Sequence, residues 1–201
     1  MKLFHAPGSC SLGIRLLLEE IGAPYEIDLV DVQAGQQREP AYLAVNPKGK
    51  VPALLRDNGV LLTKYPAIAF WLARNYPAAG LLPSDADGEA PALELLEFIV
   101  ASLHMRGTAL IMRPSAFASS AEAQVEVTQI GRDVVERGVS QLSREIGSNP
   151  YLLGDHFTLP DSAAFYLLTW LSNLEVPVGD VLTEYFHRLA ARPSAQATQR
   201  G

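Results

Sequence analysis

The hydrophobic pattern of this chain changes character once, at a stretch carrying Pro77, Gly80, Pro83 and Gly88. Before it, strand-like and helix-like pieces alternate. Lys2-Leu3-Phe4-His5 reads as a strand, and Arg15-Leu16-Leu17-Leu18 opens a helical run that Gly22 and Pro24 stop. Residues 25–30 alternate apolar and polar side chains, as a half-buried strand does. Residues 33–40 are polar and read as a loop or short helix. Residues 51–55 and 60–62 are apolar runs flanking Asp57-Asn58-Gly59, a strong hairpin signal. Ala67, Ile68, Trp71, Leu72 and Tyr76 then mark a helix ending before Pro77. Beyond the linker only helical spacing remains: Leu93, Leu96, Val100, Leu103; then Val127, Ile130, Val134; then Ala164, Leu167, Leu168, Leu171. The order predicts an α/β domain over residues 1–77 and an all-α domain over 88–201.

Charge and cysteine content narrow the function classes. A formal net charge of −6 lacks the basic footprint that non-specific nucleic-acid binding needs. One cysteine cannot form an intramolecular disulfide, which fits a reducing compartment. No signal-peptide pattern opens the chain, and no uncharged apolar run approaches membrane-spanning length. The expectation is a soluble cytoplasmic protein without nucleic-acid or membrane partners. His5, His104, His156, His187 and Cys10 show no metal-ligand spacing, so no metal is expected.

That single cysteine, Cys10, stands where the first strand gives way to the first helix. A thiol at a helix start faces unpaired backbone N–H groups and the positive end of the helix dipole, which favours the reactive thiolate. The competing reading is a buried structural cysteine, since free cysteine is among the most buried residue types. Ser9 and Ser11 flank it and either donate hydrogen bonds to a bound sulfur or cap the helix.

Four segments, in order, resemble the glutathione S-transferase superfamily, most closely its bacterial beta class. They are the opening Met1-Lys2-Leu3 through Gly8-Ser9-Cys10-Ser11-Leu12; Asn46-Pro47-Lys48-Gly49-Lys50-Val51-Pro52-Ala53-Leu54; Tyr151 through Thr158-Leu159-Pro160-Asp161; and Ala191-Arg192-Pro193-Ser194. The resemblance implies a thioredoxin-like α/β domain binding glutathione, followed by a helical domain carrying an apolar electrophile pocket. It also implies a homodimer, a cis bond at Val51-Pro52, and backbone groups of Val51 that hold the cysteinyl part of glutathione. His104 resembles a beta-class histidine that reaches the active-site region; its other reading is a helix-face histidine at a domain or dimer contact. Thr158 and Asp161 form a capping box, so Asp161 is a folding residue and not a catalytic acid.

The sequence departs from that pattern in three places. Lys64-Tyr65 stands where the family presents an acidic or amide residue followed by serine or threonine for the γ-glutamyl end of glutathione. Tyrosine cannot cap a helix as serine does, but Lys64 can pair with a carboxylate and the Tyr65 N–H can meet an anion. His5 replaces a common tyrosine and reads mainly as a structural residue, while Ser162 replaces an apolar residue beside the capping box. Two functions remain open here. One is an enzyme, with Cys10, Ser9 and Ser11 as catalytic candidates and Val51, Pro52, Lys64, Tyr65 and His104 as glutathione contacts, conjugating glutathione to an electrophile or exchanging thiols through Cys10. The other is a non-catalytic binding or regulatory protein on the same scaffold.

Overall fold

The structure, a computed structural model, describes residues 1–198 of the chain, which divide into two compact units. The first comprises Met1–Leu82 together with the described residues from Ala191 on. Its elements are β1 (Lys2–His5), α1 (Ser11–Ile21), β2 (Glu26–Leu29), α2 (Pro40–Val45), β3 (Ala53–Leu55), β4 (Leu61–Thr63) and α3 (Tyr65–Asn75). The strands form one sheet in the order β2-β1-β3-β4. β1 runs parallel to β2, with Lys2 opposite Glu26, and antiparallel to β3, with Leu3 opposite Leu54. The hairpin closes as the Asn-Gly signal predicts, with Leu54 opposite Leu62 and Gly59 at φ 78° in the turn.

Period-two alternation sorts this sheet's side chains. Phe4 and Ala53 are paired, and they cluster with Val30 and Tyr42 from β2's end and α2. Tyr42 meets the Phe4 ring edge-on at 5.8 Å. Leu3 and Leu54, one step along, point to the other face and are fully buried, as are Ile14, Leu17, Ile68 and Leu72 of α1 and α3. Gly22, at φ 63°, ends α1 with the left-handed cap its sequence position suggests.

The chain's last described helix, α9 (Pro193–Ala197), belongs to this first unit and not to the helical domain expected over 88–201. Arg192 donates through Nε and Nη2 to the two carboxylate oxygens of Glu20 at 2.6 and 2.7 Å. Ser194 donates to the same carboxylate, and Arg15 Nη2 donates to the Ala197 carbonyl at 3.2 Å. A forked, partly buried pair of this kind fixes orientation as well as supplying energy, so the closing segment is fastened along α1.

The second unit, Pro83–Ala190, is helical. Asp85 caps α4 (Ala86–Glu97) by accepting the Gly88 N–H at 2.9 Å. A π-helical segment (Phe98–Thr108) and α5 (Ala109–Met112) continue the same run, followed by α6 (Ala121–Ile146), α7 (Leu159–Asn173) and α8 (Gly179–Ala190). By length and composition Ala86–Met112 could span a bilayer, the one such helix among the described residues. Here it packs with α6 and α7 and buries Leu96, Ile99 and Leu103.

The face of α6 differs from the sequence expectation. Ile130 is exposed, and the buried residues are Gly131, Val135, Gly138, Val139, Leu142 and Ile146. Glycine is the reason: Gly131 and Gly138 let α6 approach the π-helical segment and α5 more closely than a larger residue would. A Cβ on Gly131 would stand 2.8 Å from the Gly107 carbonyl oxygen and 2.9 Å from Leu110 Cβ. Gly131→Ala gains about 1 kcal/mol of helix propensity but overpacks against backbone, at about 1–3 kcal/mol. A net loss of stability is expected, read as a lower denaturant midpoint; an unchanged or raised midpoint would refute the close-approach account.

Candidate active site at the first strand–helix turn

β1 delivers the buried His5 to a turn, Ala6-Pro7-Gly8-Ser9, that leads into α1. The Ser9 N–H donates to the Ala6 carbonyl at 3.1 Å and Gly8 takes φ 74°, a conformation open to glycine. Cys10 occupies the N-cap position, half-buried, with no side-chain capping bond. Its Sγ makes a long contact, 3.9 Å, to the Val51 carbonyl oxygen.

The helix start is less open than the sequence suggests. Ser11 N–H donates to Ser9 Oγ at 3.2 Å, Leu12 N–H to the Ser9 carbonyl at 3.1 Å and Gly13 N–H to the Cys10 carbonyl at 3.1 Å. The expectation that the thiol faces a set of unpaired N–H groups is corrected, because the tight turn engages these three itself. Ser11 is fully buried, and its Oγ lies 2.6 Å from His5 Nδ1 and 2.6 Å from Ser9 Oγ, while accepting the Ala6 N–H at 3.2 Å. Ser9, by contrast, is half-exposed.

Val51-Pro52 is cis, as the resemblance implied. β3 begins only at Ala53, so Val51's backbone groups stand outside the ladder, beside Cys10. Lys48 Nζ donates to Thr63 Oγ1 at 2.6 Å, tying the loop before the cis bond to the end of β4. At the start of α3, Lys64 is exposed and held at φ 76°, ψ 128°, a conformation a non-glycine residue rarely adopts. Strain of this kind costs about 1–3 kcal/mol and clusters at ligand clamps. The Tyr65 side chain is buried within the first unit, so the part of Tyr65 at the helix start is its backbone.

Ser9, Cys10, Ser11, Val51, Pro52, Lys64 and Tyr65 all fall in the first unit; His104 falls in the second, on the π-helical segment. There its Nδ1 lies 3.2 Å from the Tyr166 hydroxyl, and its ring meets Trp170 edge-on at 4.8 Å. Burial, with a smaller contribution from the positive charge of Arg113, lowers its pKa to about 4. His5 behaves alike: burial and the nearby Arg15 charge lower it to about 4, so both rings are neutral at pH 7.

Asp161 is fully buried and accepts from the Thr158 N–H and hydroxyl, the Leu152 N–H and the Tyr185 hydroxyl, at 2.5–3.0 Å. Burial raises its pKa against the pull of those bonds. Ser162, also buried, donates to the Leu159 carbonyl at 2.7 Å. Among the described residues no group of three or more His, Cys, Asp and Glu is placed to hold a metal. His5 is the buried, hydrogen-bonded residue that its place at the strand end suggests, with Nδ1 bound to Ser11.

Comparison with known proteins follows the same two units. Residues 8–75 match the family model of the glutathione S-transferase N-terminal domain, and residues 90–193 that of the glutathione S-transferase C-terminal domain. The chain is 31% identical over 200 residues to glutathione S-transferase GstA of Escherichia coli O157:H7, covering 98% of this chain and 96% of that one. A glutathione transferase homologue from Sulfitobacter, solved with bound glutathione, superposes with a TM-score of 0.91 at 29% identity, covering 98% and 96% of the two chains. The beta-class glutathione S-transferase of Sphingomonas chungbukensis gives a TM-score of 0.82 at 31% identity, with the same coverage.

The two neutral histidines make stability depend on pH. Both have folded-state pKa values near 4 against an ordinary 6.5, so the unfolded chain takes up protons first as pH falls. Their contribution is complete above pH 6.5 and is lost as pH falls toward 4. Denaturant midpoints measured across that window should fall, and should fall less steeply in His104→Gln. Equal slopes in the two proteins would show that His104 is not held neutral by the fold.

Proposed function

We propose, from the premise that the chain belongs to the glutathione S-transferase family and is a glutathione transferase, that glutathione lies along the cis-Pro52 segment with its sulfur beside Cys10. The observation that carries this placement is the meeting of Cys10 Sγ with the carbonyl of Val51, a residue whose backbone lies outside the sheet ladder. An extended peptide can add to such groups as a strand adds to an edge. The cysteinyl part of glutathione then pairs with Val51, and its sulfur reaches the Ser9–Cys10–Ser11 turn.

Two reactions use this placement. In conjugation, the bound thiolate attacks an electrophilic carbon, whose leaving group or displaced electron pair takes up a proton from solvent. In exchange, the Cys10 thiolate attacks a sulfur of glutathione disulfide or of a glutathionylated thiol; that S–S bond breaks, and the departing thiolate is protonated. The half-exposed single cysteine supports the second route beside the first. Apolar surface in the helical unit, at Met105, Met112 and Phe117, suits an apolar electrophile. The lone thiol supports a cytoplasmic location.

The γ-glutamyl end falls to Lys64 and the Tyr65 N–H. The strained Lys64 backbone supports a ligand contact there. Its charge suits a carboxylate and repels the ligand's ammonium group. The chain should be retained on immobilised glutathione and released by free glutathione. In calorimetric titration, Lys64→Glu should bind more tightly, by the about 1.5–3 kcal/mol of a hydrogen bond to a charged group, with Tyr65 kept because its side chain is buried in the core. No retention, and no binding in either protein, would favour the non-catalytic reading.

A beta-class homodimer completes the reading. The second unit carries a cavity of about 650 Å³ between α4, the π-helical segment and α6, lined by Leu95, Phe98, Val134 and Arg137 among others. In the first unit, Arg56 of the β3–β4 hairpin covers Trp71 at 5.4 Å and Arg74 covers Phe70 at 5.6 Å, an aromatic and basic surface on α3 and the neighbouring hairpin. Docking that surface of one copy on the cavity of another gives a two-fold contact. Solution scattering at micromolar concentration should give twice the chain mass; a monomer mass would refute it.

A further inference from the structure

On the placement of glutathione proposed above, we infer that Tyr42 and Asn46 are positioning residues. Together they clamp the Lys50 carbonyl, and the clamp aims the Val51 N–H at the cysteinyl carbonyl of bound glutathione. Neither side chain touches the ligand.

Tyr42 lies on α2 and Asn46 caps that helix's C-terminus, one turn on, so the two side chains share a face. Both reach the same atom. Tyr42 Oη donates to the Lys50 carbonyl oxygen at 2.8 Å, and Asn46 Nδ2 donates to it at 2.7 Å. The direction of each bond is fixed by the partners. A carbonyl oxygen only accepts, so the tyrosine donates. The Asn46 amide cannot be turned round, because its Oδ1 accepts the Lys48 N–H at 3.1 Å. Burial raises the Tyr42 pKa, so the phenol keeps its proton.

The clamp is held from behind. Tyr42 and Asn46 are both buried. The Asn46 N–H donates to the Tyr42 carbonyl at 2.8 Å, and the Asn46 carbonyl accepts the Gly49 N–H at 2.9 Å, which closes the turn before Lys50. The half-buried Val51 side chain packs against the cluster of Phe4, Val30, Tyr42 and Ala53.

A carbonyl oxygen has two lone pairs, and the two donors fill both. The Lys50 carbonyl is therefore closed to a ligand. The consequence falls on the other end of the same peptide unit. Lys50–Val51 is a trans bond, and across a planar trans peptide the C=O and N–H point in opposite directions. With the carbonyl drawn into the loop, the Val51 N–H points away from it. Among the described residues no acceptor meets that N–H, and the polar contact Val51 does make is from its carbonyl to Cys10 Sγ. Val51 thus presents a donor of fixed direction and, beside the thiol, an acceptor. An extended peptide needs that alternation to add as a strand. A donor aimed before the ligand arrives saves the cost of ordering it on binding. Released from the clamp, the peptide unit can turn about its flanking single bonds and the N–H loses its aim.

The test uses glutathione itself, with calorimetric affinity and hydrogen exchange of the Val51 amide followed by NMR, with and without saturating glutathione. In the wild type, glutathione should slow exchange at Val51 by about tenfold or more. Tyr42→Phe keeps the ring and removes one donor. It should bind glutathione about fivefold more weakly, and at saturation its Val51 amide should exchange about fivefold faster than in the liganded wild type. Val30→Ala loosens the same cluster without touching the Lys50 carbonyl, and should keep both wild-type values once saturated. Asn46→Ala, which also frees the Lys48 N–H, should shift both readouts in the direction of Tyr42→Phe. Unchanged affinity and protection in Tyr42→Phe overturn the inference, whether or not Asn46→Ala folds. So does an equal loss in Val30→Ala, because packing alone would then account for the effect. A folded Asn46→Ala with wild-type values removes Asn46 from the clamp and overturns the paired assignment. Wild-type protein that does not bind glutathione, or binds it with Val51 unprotected, overturns the placement itself, and that result is read before any variant is compared.

Discussion

A carboxylate can be fully buried only if its oxygens are met by donors, and the second unit is arranged around meeting that demand at Asp161. The donors come from three places: Leu152 in the loop before α7, Thr158 at its cap, and Tyr185 on α8. None of these segments is held to the others by strand pairing, so one side chain sets where the loop enters, where α7 begins and where α8 lies. Removing the carboxylate would leave buried donors on all three at once. That explains why a residue with an acidic side chain belongs to the architecture of this protein and not to its chemistry.

The first unit solves a related problem with smaller groups. A strand must reverse into a helix within a few residues while leaving a thiol near the surface. The turn uses serine twice, once to fill a buried polar position and once at the rim, with a neutral histidine behind them. Polar groups inside a low-dielectric site act strongly because nothing there can reorient to weaken them. The same feature makes the arrangement exacting: each hydroxyl has one proton, so the orientation of one group fixes the next.

Much of this was legible in the sequence, and the failures share causes. The strands, the hairpin and the helix ends were readable because Gly22, Asn58-Gly59, Pro77 and Pro193 punctuate the chain where backbone geometry demands it. The capping box and the Cys10 turn were readable because their residue types and spacing carry their mechanism. The buried face of α6 was not, because Gly131 and Gly138 contribute closeness and not hydrophobicity, and a search for apolar spacing passes over them. The destination of residues 191–198 was hidden because pairs such as Glu20 with Arg192 are joined only by the fold. Tyr65 looked like a ligand contact from its position, yet its side chain serves the core.

The return of α9 to α1 has a consequence for how the protein is made. The first unit is discontinuous: its last piece is synthesised after every residue of the helical unit. Domains acquire structure in the order in which they emerge, so the sheet and α1 are present early, with Glu20 and Arg15 awaiting partners that arrive last. The helical unit, whose residues are contiguous, can close before the earlier one is complete. Completion of the thiol-bearing unit therefore waits on residues made after the whole helical unit, and without them Cys10 would stand on a helix whose flank is bare.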